Sequence, residues 1–523
     1  MMKHKKLLVI AVILPILIQC SRKSSIIKSK WPNDAPTIAP KREFRAAWVA
    51  TVDNIDWPSK KGLSSEKQQQ EFVDILNNHQ KIGINAVLVQ VRAASDAFYA
   101  RSAEPWSEWL SGEQGKAPSP VYDPMRFMIE ESHSRNMEFH AWLNLNRGLH
   151  KVAKSVALDH ITITKPEWFL AYGGYKLYDF GLPEVREYIK DVVLNIVRQY
   201  DVDGIHFDDY FYPYTSANEK LNDMATFSKY GKGFDSIENW RRQNINLLIR
   251  DISKAISIEK KWVKFGISPF GVWRNNKVDP TGSLSDAGQT SFDDLFADTK
   301  KWANAGWIDY IAPQIYFSFE HPKVPYQPLA DWWSNNHGQR HLYIGQSTYR
   351  IDQNSIDENW KNKSQLPRQM KYNRNNIQIS GSIFYNTSSL MKNNLGFCDS
   401  LKLLYKYPAL QPTMPWKDRI PPNSPEKLLA KKVNNLSALI TWETPNKIAK
   451  DKDEIQSFVL YRFEEKEPIN LNDPAHMVAI IRNVGMLSYT DNTLKKQTKY
   501  TYLITALDRL HNESLPSNQF ILK

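Results

Sequence analysis

Between residues 43 and 416 the chain alternates eight strand-like apolar runs with helix-patterned segments, and nothing else in the sequence restricts the possible folds so strongly. The runs are FRAAWVATV (44–52), INAVLVQV (84–91), EFHAWLNL (138–145), DGIHFDDY (203–210), KFGISPFG (264–271), IDYIAPQIYF (308–317), LYIGQSTY (342–349) and ISGSIFYN (379–386). Helical periodicity marks EKQQQEFVDILNNHQKI (66–82), PEVREYIKDVVLNIVRQY (183–200) and ENWRRQNINLLIRDISKAI (238–256). The second opens on Pro183, at a first helical position where a missing N–H costs nothing. Eight such alternations predict an α/β fold of the (βα)8 TIM-barrel type rather than an open sheet. The long connections, 146–182, 210–237 and 271–291, all follow strands. In barrels of this kind the loops after the strands build the reactive face, so the asymmetry points to an enzyme.

The flanks read differently. PPNSPEKL (421–428) is linker-like, and short alternating runs at 437–442, 457–463 and 499–508 predict an all-β sandwich over 421–523. The run YTYLITALDRLHNESLPS resembles the end of a fibronectin type III domain, with Trp442 and Tyr502 as core aromatics and His511 where that family usually has glycine. Such a module is expected to be a spacer or binding accessory. At the other end, MMKHKKLLVIAVILPILIQC has a basic start and an apolar run too short for a comfortable membrane span, as in a secretory signal. Its LIQC ending resembles a bacterial lipoprotein signal, which implies lipidation of Cys20, and residues 21–42 read as a tether. Residues 1–42 carry nine basic residues against one acid, so only four of the twelve net positive charges belong to residues 43–523. The basicity is therefore that of an export signal and not of a nucleic-acid face. Two cysteines, Cys20 and Cys398, exclude a disulfide framework.

The chemistry concentrates in VDGIHFDDYFYP (202–213). Side chains alternate along a strand, so His206, Asp208 and Tyr210 share the face opposite to apolar Ile205 and Phe207. Asp208 then projects into the barrel mouth, and Asp209 can turn in once the strand ends. Glycoside hydrolysis needs two carboxyl groups, one to protonate the leaving oxygen and one to attack or to activate water. Asp208 is the expected nucleophile or base. Its expected partner is Asp96 in QVRAASDAFY, with Asp209 next and Asp56 in NIDWPS third. Convergent polar and aromatic groups for a hydroxyl-rich ligand are expected from Arg92, Asn144, Asn146, His206, Tyr210, Tyr212, Ser268, Gln314, Tyr316, Gln346, Tyr349 and Asn386, with Trp273 as a stacking platform. No P-loop, G-x-S-x-G elbow or H-E-x-x-H occurs, and neither a metal nor an organic cofactor is called for.

FRAAWVATVDNIDWPS, DGIHFDDYFYP, FGISPFGVWRN and DYIAPQIYF, in this order, resemble the signature blocks of the family-ten-like glycosyl hydrolases, over about residues 43–410. That resemblance implies a lipid-anchored bacterial envelope barrel acting on peptidoglycan glycan strands stripped of their peptides. The residues after Cys20, SRKSS, lack an acidic cluster of the kind that suggests surface export, so anchoring at the outer membrane facing the periplasm is expected. DGIHFD is also similar to the fourth strand of chitinase-type barrels, whose acid glutamate falls where this chain has Tyr210, which implies that their substrate-assisted route is not used. In amylase-type barrels the aspartate of the similar segment is the nucleophile, in agreement with Asp208. The function expected is a glycosidase cutting an amino-sugar polymer. A non-catalytic glycan-binding lipoprotein and a glycosidase of dietary or capsular polysaccharide are the alternatives.

Overall fold

A computed structural model describes residues 38–216, 218–445 and 454–523. The expected signal, Cys20 and nearly all of the expected tether lie outside the described residues. Its last two residues are packed rather than free: Lys41 Nζ pairs with Glu513 at 2.6 Å, and Arg42 donates to the carbonyl of Gln411 at 2.7 Å.

All eight expected barrel strands form: β1 (Phe44–Val49), β2 (Ala86–Arg92), β3 (Glu138–Leu143), β4 (Gly204–Phe207), β5 (Lys264–Ile267), β6 (Tyr310–Ile311), β7 (His341–Ser347) and β8 (Ile379–Tyr385). They close in the order 1-8-7-6-5-4-3-2, parallel throughout, and the seam pairs Phe44 with Gly381 and Ala47 with Phe384. Strands buried on both faces read as continuous apolar runs, and every residue of β1 and β2 is buried. The sixth run shrinks from ten expected residues to two because Pro313, like Pro269 after β5, has no N–H to give the ladder. Beyond it the pairing continues only through isolated bridges of Gln314 to Phe270 and to Gly345.

The expected helices occur at Ser65–Lys81, Pro183–Gln199 and Ile237–Glu259, with Pro183 in the first turn. Ser64 and Ser236 cap the first and third by accepting from the backbone N–H three residues on. The connection after β3 folds back as a small antiparallel sheet of Arg147–Leu149, Tyr175–Tyr178 and Phe169–Tyr172, which stands over the mouth of the barrel.

Residues 426–522 form two antiparallel sheets, one of three strands and one of four, packed around Trp442, Phe458 and Tyr502. This sandwich sits against the N-terminal ends of the barrel strands. Glu138, at the start of β3, receives Lys264 from the start of β5, His140 (3.0 Å), and His511 (2.7 Å) from the sandwich. Arg509 pairs with Asp201, and Asn136 donates to the carbonyl of Ile480 at 2.9 Å. His511 has φ +61°, the left-handed region that favours glycine, and its bond to Glu138 fixes it there. No helix among the described residues is long and apolar enough to cross a membrane.

Candidate active site

A cleft of about 520 Å³ opens at the C-terminal ends of the strands, and every strand or the loop after it contributes to its lining. Trp48 comes from β1, Gln90 from β2, Trp142 from β3, Ser268 from just past β5, Gln314 and Tyr316 from past β6, Tyr349 from past β7 and Tyr385 from β8. The segment after β4 supplies four lining residues, Asp208, Asp209, Tyr210 and Tyr214.

Strand β4 ends at Phe207, so the alternation that turns Asp208 inward no longer turns Asp209 away, and both residues line the cleft. Asp208 is 6% exposed and accepts from Trp142 Nε1 (3.0 Å), Asn144 Nδ2 (3.1 Å) and, more weakly, the N–H of Tyr210 (3.4 Å). Trp142 and Asn144 are two apart along β3 and its extension, which puts both donors on one face. Burial pushes the Asp208 carboxyl above its usual range, and Arg147 and these donors hold the rise back. Asp209 accepts from the Tyr214 hydroxyl. Burial first, and then the like charge on Asp208, push it from 3.8 to about 7. Two neighbouring carboxyls with different donor sets thus divide into one better supplied with groups that stabilise the anion and one that keeps its proton close to neutrality.

The Tyr214 bond opposes that rise, because it favours the ionised form. In Tyr214→Phe the ring remains and only the donor is lost. The Asp209 carboxyl should then hold its proton to higher pH, and the basic limb of a kcat/KM profile should move up by roughly one unit. An unmoved limb assigns that limb to another group.

Tyr210, Ser268, Gln314, Tyr316 and Tyr349, expected from the sequence, all line the cleft beside the two aspartates. His206 lies beneath it. Its Nε2 stands 3.1 Å from Trp48 Nε1 and 3.0 Å from Ser268 Oγ, and its Nδ1 3.0 Å from the Tyr310 hydroxyl. An indole N–H can only donate, so Nε2 accepts and Nδ1 carries the proton. Burial holds this imidazole neutral, its pKa well below the ordinary value. His206 and Asn144 therefore position lining groups and do not contact a ligand from inside the barrel.

Other expected residues are employed elsewhere. Asp96 is buried and accepts from the backbone N–H groups of Ala93 and Ala94 (3.2 and 2.9 Å), so it caps its own loop instead of reaching the cleft. Asp56 likewise ties the loop after β1 to the one after β8, accepting from Ala50 N and Ser388 N, both at 2.8 Å. Arg92 is fully buried in a two-pronged pair with Glu104 (2.6 and 2.7 Å), since a guanidinium at that depth needs a counter-charge. Tyr212 packs edge-on against Phe296, and Trp273 stacks on Trp332. Gln346 donates to the Tyr326 hydroxyl (2.7 Å), and Asn386 caps the helix Thr387–Lys392. Asn146 lines a neighbouring pocket. Among the lining residues that sequence reasoning missed, Trp142 was findable two positions before Asn144. Arg147 stands on the small antiparallel sheet, where no local pattern points to the cleft.

The comparison with known proteins bears directly on this arrangement: residues 43–362 match the family described as Glycosyl hydrolase-like 10. The chain belongs to the glycosyl hydrolase-like 10 family. It is 44% identical over 484 residues, 91% of this chain and 93% of the other, to a Bacillus subtilis protein named Glycosyl hydrolase YngK. It is 35% identical over 410 residues, 72% of this chain and 91% of the other, to Glycosyl hydrolase DigH of Escherichia coli K12. Among solved structures, the glycoside hydrolase domain of PgaB (BpsB) from Bordetella bronchiseptica matches 71% of this chain and 100% of its own at 14% identity, with a TM-score of 0.45. The cleft, with Asp208 and Asp209, lies mostly within the span matched to glycosyl hydrolase-like 10; Tyr385 is the lining residue beyond it.

Proposed function

We propose that this chain is a glycosidase of the cell envelope that cuts an amino-sugar polymer, foremost peptidoglycan glycan strands freed of their peptides. The observation that carries the reading is the pair Asp208–Asp209 in an open cleft walled by Trp48, Trp142, Tyr210, Tyr316 and Tyr385. Flat rings with polar tips suit the faces of pyranose sugars. Asp209, with its proton held to about pH 7, acts as the general acid on the leaving oxygen. Asp208, held by Trp142, Asn144 and the charge of Arg147, acts as nucleophile or base. Both residues line the one cleft, which lets the two carboxyls face the same bound sugar. Lipidation at Cys20, anchoring at the outer membrane on its periplasmic side, and a fibronectin type III identity for residues 421–523 belong to the same proposal.

The purified protein should be incubated with peptide-free glycan strands, intact peptidoglycan, chitin and a neutral glucan, and new reducing ends counted. Peptide-free strands should give the largest yield. A yield only from the glucan moves the substrate to dietary or capsular polysaccharide. No yield from any polymer, with binding retained, leaves a non-catalytic glycan-binding protein.

A further inference from the structure

A second cavity, of about 330 Å³, adjoins the cleft and shares Arg147, Tyr210 and Tyr214 with it. Three features set it apart from a chance hollow. First, it is cationic. Arg147 and Lys151 both line it, and no aspartate or glutamate does. Among the described residues neither side chain makes an ion pair or donates a hydrogen bond; both instead lie over tyrosines. Arg147 is 4.3 Å from the ring centre of Tyr210, and Lys151 is 5.4 Å from that of Tyr175. Three acids border it from behind its lining residues: Glu219 is occupied by the backbone N–H of Gly173 at 2.7 Å, Asp209 by the Tyr214 hydroxyl, and Asp208 by Trp142 and Asn144 while it feels the charge of Arg147 from the cleft side. Second, the amide of Asn146, only 2% exposed, lines the cavity with a buried Oδ1 that has no partner. Buried polar groups are nearly always satisfied, and this acceptor in the cavity wall lacks a donor of the kind a sugar hydroxyl supplies. Third, Tyr172, Tyr175 and Tyr214 give the cavity aromatic walls of the kind a sugar ring packs on.

We infer that this cavity is a subsite for a sugar bearing a carboxylate, next to the sugar whose bond is cut. A guanidinium presents a planar fork that matches a carboxylate through two parallel hydrogen bonds, and a lysine beside it adds a point charge. The inference deepens the proposed function and rests on it for one of two sources. Peptide removal from peptidoglycan exposes the lactyl carboxylate of every muramic residue, whereas the peptide-linked form is a neutral amide with a bulky extension. A cationic cavity beside the catalytic pair therefore selects strands already stripped. A uronic acid offers the same group from another polymer.

Binding is measured by calorimetry on the full chain carrying Asp209→Asn, with four probes: peptide-free strands, the same strands with their lactyl carboxylates converted to primary amides, a glucuronate-containing oligosaccharide, and a chitin oligomer of equal length. Free-carboxylate strands should bind roughly tenfold tighter than amidated ones. Adding Lys151→Gln, a change on an exposed side chain, should bring that ratio towards one. Carboxylate dependence confined to the glucuronate probe keeps the subsite and overturns the peptidoglycan assignment. Equal binding of free and amidated strands with no preference for glucuronate over chitin, or no binding of any probe, overturns the subsite.

Discussion

Asp209→Asn should lower turnover of the polymer by about 10³-fold and, at pH 8, make the protein more stable than its parent. In the proposed mechanism the loss of rate follows from removing the proton donor to a poor leaving group, a contribution of about 10²–10⁴. On an aryl glycoside, whose phenolate leaves without help, the same variant should keep most of its activity, whereas Asp208→Asn should be inactive on both substrates. That contrast separates the acid from its partner, and equal losses on the aryl substrate refute the division of roles. The gain in stability follows from linkage. The folded carboxyl of Asp209 titrates near 7 against an ordinary 3.8, so the native state holds a proton that the unfolded chain has released. Stability is therefore lost as pH rises from about 4 to 7, by up to about 4 kcal/mol. Asparagine carries no charge and escapes this loss. Melting curves of the two proteins should coincide below about pH 4 and diverge by several degrees at pH 8. Strain of this kind at a functional carboxyl is how stability is exchanged for reactivity.

Glu138→Ala should cost about 3–5 kcal/mol of stability. Burial alone would raise the Glu138 carboxyl, but Lys264, His140 and His511 together hold it well below the ordinary range. Removing it leaves Lys264, whose side chain is 3% exposed, as a buried charge without its counter-ion. It also removes the acceptor that fixes His511, and so loosens the sandwich from the barrel. Denaturant melts should show the lowered midpoint, and the double variant Glu138→Leu/Lys264→Met should recover most of it, because an apolar pair leaves no uncompensated charge. If the single variant melts like the parent, the network contributes little.

The periodicity of the sequence was sufficient for the barrel. Strand-like runs between helical patterns placed all eight strands; their ends shifted by up to a few residues, and the largest loss, in the sixth run, falls where the chain holds Pro313. Asp208 was legible for the same reason, since alternation along GIHF decides which face the next residue takes. Asp96 and Arg92 were misleading because residue type and position past a strand say nothing of what else the side chain meets. Asp96 finds the N–H groups of its own turn, and Arg92 finds Glu104, twelve residues on, which no local pattern links to it. Arg147, on the far side of a long connection, depends on that connection folding back as a sheet, a tertiary event without a short-range signal.

The seam between β1 and β8 also governs how this chain can be made. The first strand to leave the ribosome has its final partner in the last, with Phe44 opposite Gly381. Until that partner arrives, both edges of a growing parallel sheet stay unsatisfied, a slow and aggregation-exposed stage of folding. Any product truncated before Ile379 is therefore an open sheet with two raw edges and not a smaller working barrel. Nascent chains of intermediate length are where chaperones are needed most.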